Sequence, residues 1–304
     1  MKKYLYILLA TIAITSCKTE AKKRDGKLKI VTTTTMITDM VKNIGGDVVE
    51  VEGLMGSGVD PHLYKASEGD VSKLFNADVI IYSGLHLEGK LEDIFEKMRK
   101  QQKKTIAVSD AIDKKGLIGS EYFASNYDPH IWFHIGYWKQ ATQFVIDELI
   151  KLDPENAENF EKNGQAYIAK LDALATEIAA TIETLPKEKR ILVTAHDAFN
   201  YFGKLHNFEV VGLQGLSTAT EAGVQDVQKL ATFIIDKKVK AVFVESSVPK
   251  RTIEALQASV QASGHEVVIG GTLYSDALGN AGTVEGTYVG MYTYNVKTIV
   301  DALK

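Results

Sequence analysis

The sequence predicts an α/β protein of two lobes, each with a four-stranded parallel sheet flanked by helices, joined by one long linking helix. Its 304 residues exceed the length at which a single hydrophobic core usually keeps growing. Short apolar segments with strand character alternate with helical patterns from Lys27 onward, which is typical of parallel sheets covered by helices. Between two such series, one stretch without an internal proline is apolar at helical spacing.

The N-terminal lobe is predicted over residues 27–152. Four apolar segments predict its strands, namely KLKIVTTT, VVEVEGLM, DVIIYSG and KTIAVSD. The helices predicted between them are Thr35–Gly45, Ser67–Asn76 and Gly89–Gln102. This alternation predicts one parallel sheet with helices on its faces.

The linking helix is predicted over residues 153–187, where no proline occurs between Pro154 and Pro186. At 1.5 Å per residue, about 30 helical residues span about 45 Å, long enough to run along a whole molecule. A coiled-coil arm is the alternative. Because the apolar positions hold no strict heptad, we favour a rigid strut packed against both lobes, which would limit hinge motion between them.

The C-terminal lobe is predicted over residues 188–304. Its strand segments are RILVTAH, FEVVGLQG, KAVFVESS and HEVVIGG. The predicted helices are Asp197–Asn207, Gly223–Lys238, Pro249–Gly264 and Thr287–Lys304. The series repeats the β-α alternation of the first lobe and predicts a second parallel sheet.

The N-terminus MKKYLYILLATIAITSC has two lysines, a short apolar stretch and small residues up to Cys17. This pattern predicts a signal peptide over residues 1–16, and the ending ITSC resembles a bacterial lipoprotein processing site. Cys17 would then carry the lipid, and residues 17–26 would form a solvated tether in preference to a headgroup-binding patch. A plain signal peptide with an incidental cysteine is the alternative.

Cys17 is the single cysteine of the chain. If it is acylated, the folded part has neither disulfides nor thiolate ligands, so any metal site must use nitrogen and oxygen. The formal net charge is −4, with no basic excess that would favour nucleic acid.

The tripeptide DPH occurs twice, as Asp60-Pro61-His62 and as Asp128-Pro129-His130. Asp-Pro is a good helix opening by itself, because Asp accepts from free backbone N–H groups and Pro fits the first helical position. Asp153-Pro154 shows that opening without a histidine. The two histidines are therefore the feature that the helix-opening interpretation does not explain.

Four polar side chains follow predicted strands, at the edge where ligands of open α/β sheets collect. His62 follows the second strand and His130 the fourth, His196 ends the strand RILVTAH, and Asp276 comes shortly after HEVVIGG. Three imidazoles and one carboxylate suit zinc and can also hold manganese. The pattern predicts a metal site between the lobes, with two ligands from each.

The other histidines lack this placement and are interpreted as structural: His86, His134, His206 and His265. For His134, the alternative is that it hydrogen-bonds a metal ligand from outside the site. Several aromatic residues surround the second DPH, and they would form either a dry shell around the metal or ordinary core: Tyr127, Trp132, Phe133, Tyr137 and Trp138.

Five segments, DPHLY, DPHIWFH, TAHDAFNYFG, GLQGLSTATEAG and LYSDALGNAGTVEGTYVGMYTYNV, resemble the TroA-like zinc/manganese solute-binding proteins of bacterial ABC transporters. The resemblance covers essentially the whole mature chain. It implies two lobes joined by one long helix, with metal held in the cleft by His62, His130, His196 and Asp276. The family's third ligand is histidine or glutamate, and here it is His196.

The resemblance also implies what the protein works with. The expected cargo is Zn²⁺ or Mn²⁺, with Fe²⁺ as a further candidate, and the expected partner is an ABC permease. Zinc-dedicated members often carry a long His- and acid-rich loop; this sequence has none, which leaves the metal open. A monomer attached to a bacterial membrane through Cys17 is expected.

An enzyme is not expected. Four protein ligands close a tetrahedral zinc site, whereas hydrolytic zinc keeps a position for water. The chain has no Walker loop, no G-x-S-x-G elbow and no G-x-G-x-x-G after a strand. An exported metallohydrolase using the same residues is the alternative from another class, and a surface adhesin would depend on the lipid anchor alone.

Overall fold

The computed structural model describes residues 26–304. The predicted signal peptide, Cys17 and all but the last residue of the tether therefore lie outside the described residues. Between residues 26 and 304, no helix is both long and apolar enough to cross a bilayer.

The N-terminal lobe is built on a four-stranded parallel sheet in the order β2-β1-β3-β4. Its strands are β1 Leu28–Thr32, β2 Val49–Gly53, β3 Val79–Tyr82 and β4 Lys104–Ala107. Its helices are α1 Thr35–Gly45, α2 Glu68–Asn76, α3 Glu92–Lys100 and α4 Ile135–Leu152. Val79, Ile80 and Ile81 of β3 are all buried, as expected of a parallel strand covered by helices on both faces.

The long helix α5, Ala157–Glu183, links the two lobes. Pro154 opens a short 3₁₀ turn just before it, and the helix ends before Pro186, which disfavours helical geometry in the residue that precedes it. It packs against α1 and α4 of the N-terminal lobe and against the C-terminal helix α9, Tyr288–Leu303. Contacts on both sides make it the strut that the sequence predicts, and not a projecting arm.

The C-terminal lobe contains four further parallel strands: β5 Ile191–His196, β6 Glu209–Gln214, β7 Ala241–Glu245 and β8 Val268–Leu273. The remaining helices are α6 Asn200–His206, α7 Val224–Lys237 and α8 Arg251–Ala262. Ladder hydrogen bonds join these strands as two parallel pairs, β5-β6 and β7-β8, and not as the single four-stranded sheet that the sequence predicts. The pairs meet where β5 lies beside β7, but no ladder of hydrogen bonds is assigned between these two strands. At the carboxyl ends of β5 and β7, the Glu245 side chain accepts a hydrogen bond from the His196 backbone N–H at 2.8 Å.

The two lobes share one core. The largest apolar cluster contains residues from β1, α4, α5, α6 and α9, so it runs through both lobes and the strut. Buried hydroxyl groups also bridge the lobes, because Tyr288 donates to the Trp132 carbonyl at 2.6 Å and Tyr292 to the Phe133 carbonyl at 2.8 Å. This packing holds the loops at the carboxyl ends of the strands face to face.

Candidate metal centre

Four side chains from distant parts of the sequence meet between the lobes. His62, His130, His196 and Asp276 each offer one ligand atom, and these atoms lie within 4.8 Å of one another. All four residues are buried, with relative exposures of 4%, 0%, 0% and 1% in that order. The structure thus brings together every residue that the sequence predicts for the metal site.

The spacing of the ligand atoms suits a small ion. Asp276 Oδ2 lies 3.2 Å from His196 Nε2 and 3.7 Å from His62 Nε2, and Asp276 Oδ1 lies 3.6 Å from His130 Nε2. His62 Nε2 and His130 Nε2 are 3.4 Å apart. Ligands about 2.0–2.1 Å from a tetrahedral zinc ion are about 3.3 Å from each other. The side chains therefore need little movement to coordinate an ion.

The centre also contains buried polar atoms without hydrogen-bond partners. Neither carboxylate oxygen of Asp276 receives a hydrogen bond of good geometry, and His196 Nε2 also lacks one. Buried polar atoms are normally satisfied, so orphans that converge on one point indicate a missing partner. A cation at the centre would supply it.

His130 is held by the aspartate of its own motif. Asp128 Oδ1 accepts from the His130 backbone N–H at 2.9 Å and lies 2.8 Å from Nδ1 of the imidazole. Asp128 Oδ2 accepts from Asn200 of α6 at 3.1 Å. A carboxylate on Nδ1 fixes the ring orientation and leaves Nε2 as the ligand atom. The Trp132 ring packs against the imidazole, with centroids 5.2 Å apart.

His196 is the last residue of β5 and lies beside a carboxylate from β7. Its Nδ1 lies 2.6 Å from Glu245 Oε2, and the other carboxylate oxygen accepts from the His196 backbone N–H. Gly212 of β6 lies against this end of β5, where a Cβ would come within 2.5 Å of the His196 carbonyl carbon. The absent side chain at Gly212 therefore allows the two strands to converge beside the centre.

His62 lies in the loop between β2 and α2. Asp60 Oδ1 accepts from the His62 backbone N–H at 2.8 Å, and Asp60 Oδ2 accepts from Thr218 Oγ1 of the C-terminal lobe at 2.5 Å. The Phe123 ring stands edge-on to the imidazole, with centroids 6.4 Å apart. Asp60 thus orients the loop backbone, whereas Asp128 contacts the ring of its own histidine.

The charges of the centre are strongly coupled. Burial lowers the pKa of His62 to about 3, although the Asp276 carboxylate opposes that shift. Burial also disfavours charge on His196, but the Glu245 and Asp276 carboxylates outweigh it and raise the pKa of His196 well above its usual value. Burial opposes ionisation of Asp276, yet the neighbouring histidines, His196 foremost, hold its pKa below the usual range. The opposite shifts of His62 and His196 thus arise from three imidazoles and two carboxylates that share one buried space.

The outer partners are only partly those that the sequence suggests. His134 caps α4, where its Nδ1 accepts from the Tyr137 N–H at 3.3 Å and its ring stacks on Tyr137. Asp128 and Glu245 occupy the outer positions instead. The sequence assigned Asp128 to a helix opening, and Glu245 gave no signal beyond its place at the end of an apolar strand segment.

The aromatic residues around the second DPH divide between site and core. Trp132 touches the His130 ring, whereas Trp138 stacks on Tyr288 and Phe133 packs on Phe199. Phe123, which the sequence did not single out, contacts His62. The aromatic rings that contact the DPH histidines are thus Trp132 and Phe123, one beside each histidine.

Two α/β lobes, a connecting helix and a buried cluster of imidazoles and a carboxylate in the cleft define the class of metal solute-binding proteins. The chain belongs to the family described as ZnuA, zinc-uptake complex component A, periplasmic, whose model matches residues 30–302. This is a family of substrate-binding transport components and not of enzymes, and it gives no support to the metallohydrolase alternative.

Three relatives illustrate the range of the family. The chain is 48% identical over 300 residues to the manganese-binding lipoprotein MntA of Bacillus subtilis, covering 98% of this chain and 97% of that protein. It is 50% identical over 279 residues to the zinc-binding protein TroA of Treponema pallidum, covering 92% and 90%. The iron ABC transporter substrate-binding lipoprotein MtsA of Streptococcus pyogenes is 33% identical over 297 residues, covering 96% and 94%.

The fold is also that of a solved relative. The structure of TroA from Treponema pallidum matches with a TM-score of 0.89 over 91% of this chain and 99% of that one. Since this match extends over both lobes and the connecting helix, the two-lobed class predicted from the sequence is confirmed.

Proposed function

We propose that this protein captures a divalent transition metal between its lobes, with His62, His130, His196 and Asp276 as ligands, and delivers it to an ABC permease. The convergence of four buried ligand atoms, with orphaned oxygens on Asp276, carries the proposal. Two ligands come from each lobe, so the ion would join the lobes. A permease that rearranges the ligand loops locally would then release the ion.

The donor set supports more than one cargo. Three imidazole nitrogens and one carboxylate oxygen complete the tetrahedral shell that zinc prefers. Both oxygens of Asp276 point to the centre, so a bidentate carboxylate would raise the number of donor atoms to five for manganese or iron(II), which accept more oxygen-rich shells. The names of the relatives, which include manganese, zinc and iron, are consistent with this adaptability.

The test is metal analysis of protein purified without added metal, followed by competition between zinc and manganese at equilibrium. We expect one ion per chain and tighter binding of zinc, because nitrogen-rich sites follow the general affinity order of the divalent metals. Stoichiometry near zero in the parent protein would contradict the proposal. His265→Asn is a matched control, because His265 bonds the Val239 carbonyl elsewhere in the C-terminal lobe.

We further propose that Cys17 is the lipidated first residue of the mature protein and that residues 17–26 tether it to a bacterial membrane. The basis is the ITSC sequence at the end of the apolar segment, and MntA and MtsA are named lipoproteins. Cys17→Ala should abolish lipid labelling and release the protein from membranes while the soluble domain still binds metal. Retained membrane attachment of this variant would contradict the anchor.

The proposed domain boundaries follow the elements: residues 27–152 for the N-terminal lobe, 153–187 for the linking helix and 188–304 for the C-terminal lobe. Because α5 packs on both lobes, we propose that loops rearrange locally when the metal is released. We also propose that the protein is a monomer, as the family resemblance implies. Small-angle scattering with and without zinc should give one monomeric envelope with nearly the same radius of gyration. A large expansion without metal would indicate wide lobe opening instead.

A further inference from the structure

A further histidine, His86, lies outside the candidate metal centre, at the mouth of a cavity that leads to it. A cavity of about 110 Å³ reaches the surface between the lobes and is lined by His62 and His86 from one lobe and by Ser217 and Ala219 from the other. Phe123 also lines it, and its ring stands edge-on to both imidazoles, with centroids 6.4 Å from His62 and 6.1 Å from His86. His62 is thus the buried ligand reached from this cavity.

The backbone that carries His86 adopts an unusual conformation. Gly84, Leu85 and His86 have φ values of +83°, +51° and +64°. Residues with side chains seldom adopt this left-handed region, and where they do, the surrounding structure must hold them there.

A buried carboxylate holds this loop. Glu88, which is 2% exposed, accepts from Thr33 Oγ1 at 2.6 Å and from the backbone N–H groups of Ser83 at 2.8 Å and Gly84 at 3.3 Å. These bonds fix both ends of the left-handed stretch. The position of His86 is therefore imposed by buried contacts, although its own side chain is 40% exposed.

The absence of a side chain at Gly89 leaves room for the His86 imidazole. A Cβ at Gly89 would lie 2.7 Å from His86 Nε2, so the ring rests directly on the glycine. On the other side of the ring, Nδ1 lies 3.7 Å from Glu92 Oε1, which is similarly exposed. An imidazole beside a carboxylate offers the nitrogen and oxygen donors that zinc and manganese accept. Lys90 lines the same cavity, and its positive charge disfavours prolonged residence of a cation there.

We propose that His86, assisted by Glu92, is a transient metal ligand through which the ion passes between solvent and His62. This inference rests on the proposed function, since it assigns an entry position to the same metal site. Exchange of ligands one at a time avoids stripping the ion of its water before any protein donor replaces it. Because a relay lowers the barrier and leaves the end states unchanged, it speeds loading and release by the same factor.

The experiment compares His86→Asn and His86→Asp with the parent and with the control His265→Asn. Asparagine and aspartate both tolerate a left-handed backbone, so neither substitution should disturb the loop. They are similar in size, but aspartate supplies a good ligand for a divalent ion. Loading with zinc is followed by stopped-flow tryptophan fluorescence, for which Trp132 beside His130 is the reporter, and release by mixing with excess chelator.

We expect His86→Asn to slow loading and release by about tenfold each, with the equilibrium affinity unchanged. His86→Asp should recover most of both rates. Unchanged rates in His86→Asn would overturn the relay, and equally slow rates in both variants would assign His86 a structural role. A loss of equilibrium affinity would place His86 in the final site and also overturn it. These outcomes can be told apart from failure of the proposed function, because in that case the parent protein itself would not bind zinc.

Discussion

The two DPH motifs have the same three residues but hold their histidines differently. In both, the aspartate accepts from the backbone N–H of the histidine, at 2.8 Å for Asp60 and 2.9 Å for Asp128. Asp128 also contacts the His130 imidazole, whereas the second oxygen of Asp60 bonds Thr218 across the cleft. One motif therefore fixes a ring, and the other fixes a loop to the opposite lobe.

This difference shows that one repeated sequence motif can place its histidine at the candidate centre in two ways. His130 is fully enclosed, with its ring held by a carboxylate on one side and packed on Trp132. His62 borders the cavity that leads outward. We infer that His130 belongs to the preformed part of the site and that His62 is the ligand that joins and leaves. The predictions below test that distinction.

The largest effect on zinc binding is expected from removing the proposed ligands themselves. His62→Ala, His130→Ala, His196→Ala and Asp276→Ala should each weaken zinc binding by far more than the roughly 10–100-fold that loss of an outer partner costs. Competition with a chelator of known affinity measures this. If His62→Ala bound zinc nearly as well as the His265→Asn control, His62 would not be a ligand, and only the second DPH motif would contribute to the metal site.

The next largest effect should distinguish the aspartates of the two motifs by how much their substitution weakens zinc binding. Asp128→Asn removes the charge that holds His130 Nδ1 and should weaken binding by roughly 10–100-fold. Asp60→Asn keeps an oxygen for the His62 backbone N–H and touches no imidazole, so its effect should be clearly smaller. The same competition assay compares the pair. Equal losses would remove the distinction between a fixed ring and a fixed loop.

The number of protons released when zinc binds should distinguish His196 from His62. With its pKa lowered to about 3, His62 is already neutral near pH 6 and has no proton to lose. His196 has a raised pKa, so it is charged in the metal-free site and must lose its proton to coordinate. Affinity should therefore fall as pH falls, with His196 contributing about one log unit per pH unit.

Calorimetry in buffers of different ionisation enthalpy measures this release. His196→Gln should release about one proton fewer per zinc ion near pH 6, because a glutamine amide has no ionisable proton to lose. Identical proton counts for the parent and His196→Gln, both folded, would show that His196 does not coordinate through its imidazole.

The smallest effect concerns local motion. In the metal-free protein, amide hydrogen exchange should be faster in the His62 loop, over residues 59–65, than in residues 128–134, by at least about tenfold. The reason is that residues 128–134 include the buried Asp128 and accept hydrogen bonds from the tyrosines of α6 and α9. Asp60, in the His62 loop, is only partly buried. Equal protection in both segments would argue against His62 as the mobile ligand.

Most of the architecture could be predicted from the amino-acid pattern. Alternating apolar segments gave the strands of both lobes because parallel strands are buried on both faces and their helices repeat between them. The histidines and Asp276 could be placed at strand ends for the same reason, since the carboxyl ends of parallel strands share one edge. The linking helix could be recognised from its apolar spacing, but its ends were decided by the 3₁₀ turn at Pro154 and by Pro186.

The residues that support the proposed ligands could be identified only from the packing of the two lobes. Glu245 reaches His196, 49 residues away in the chain, because β7 lies beside β5. Asp60 and Asp128 take different partners because one faces Thr218 and the other faces Asn200 and its own imidazole. Hydrogen-bond partners depend on distance and direction within a few ångströms, and residues far apart in sequence acquire both only when the lobes pack together.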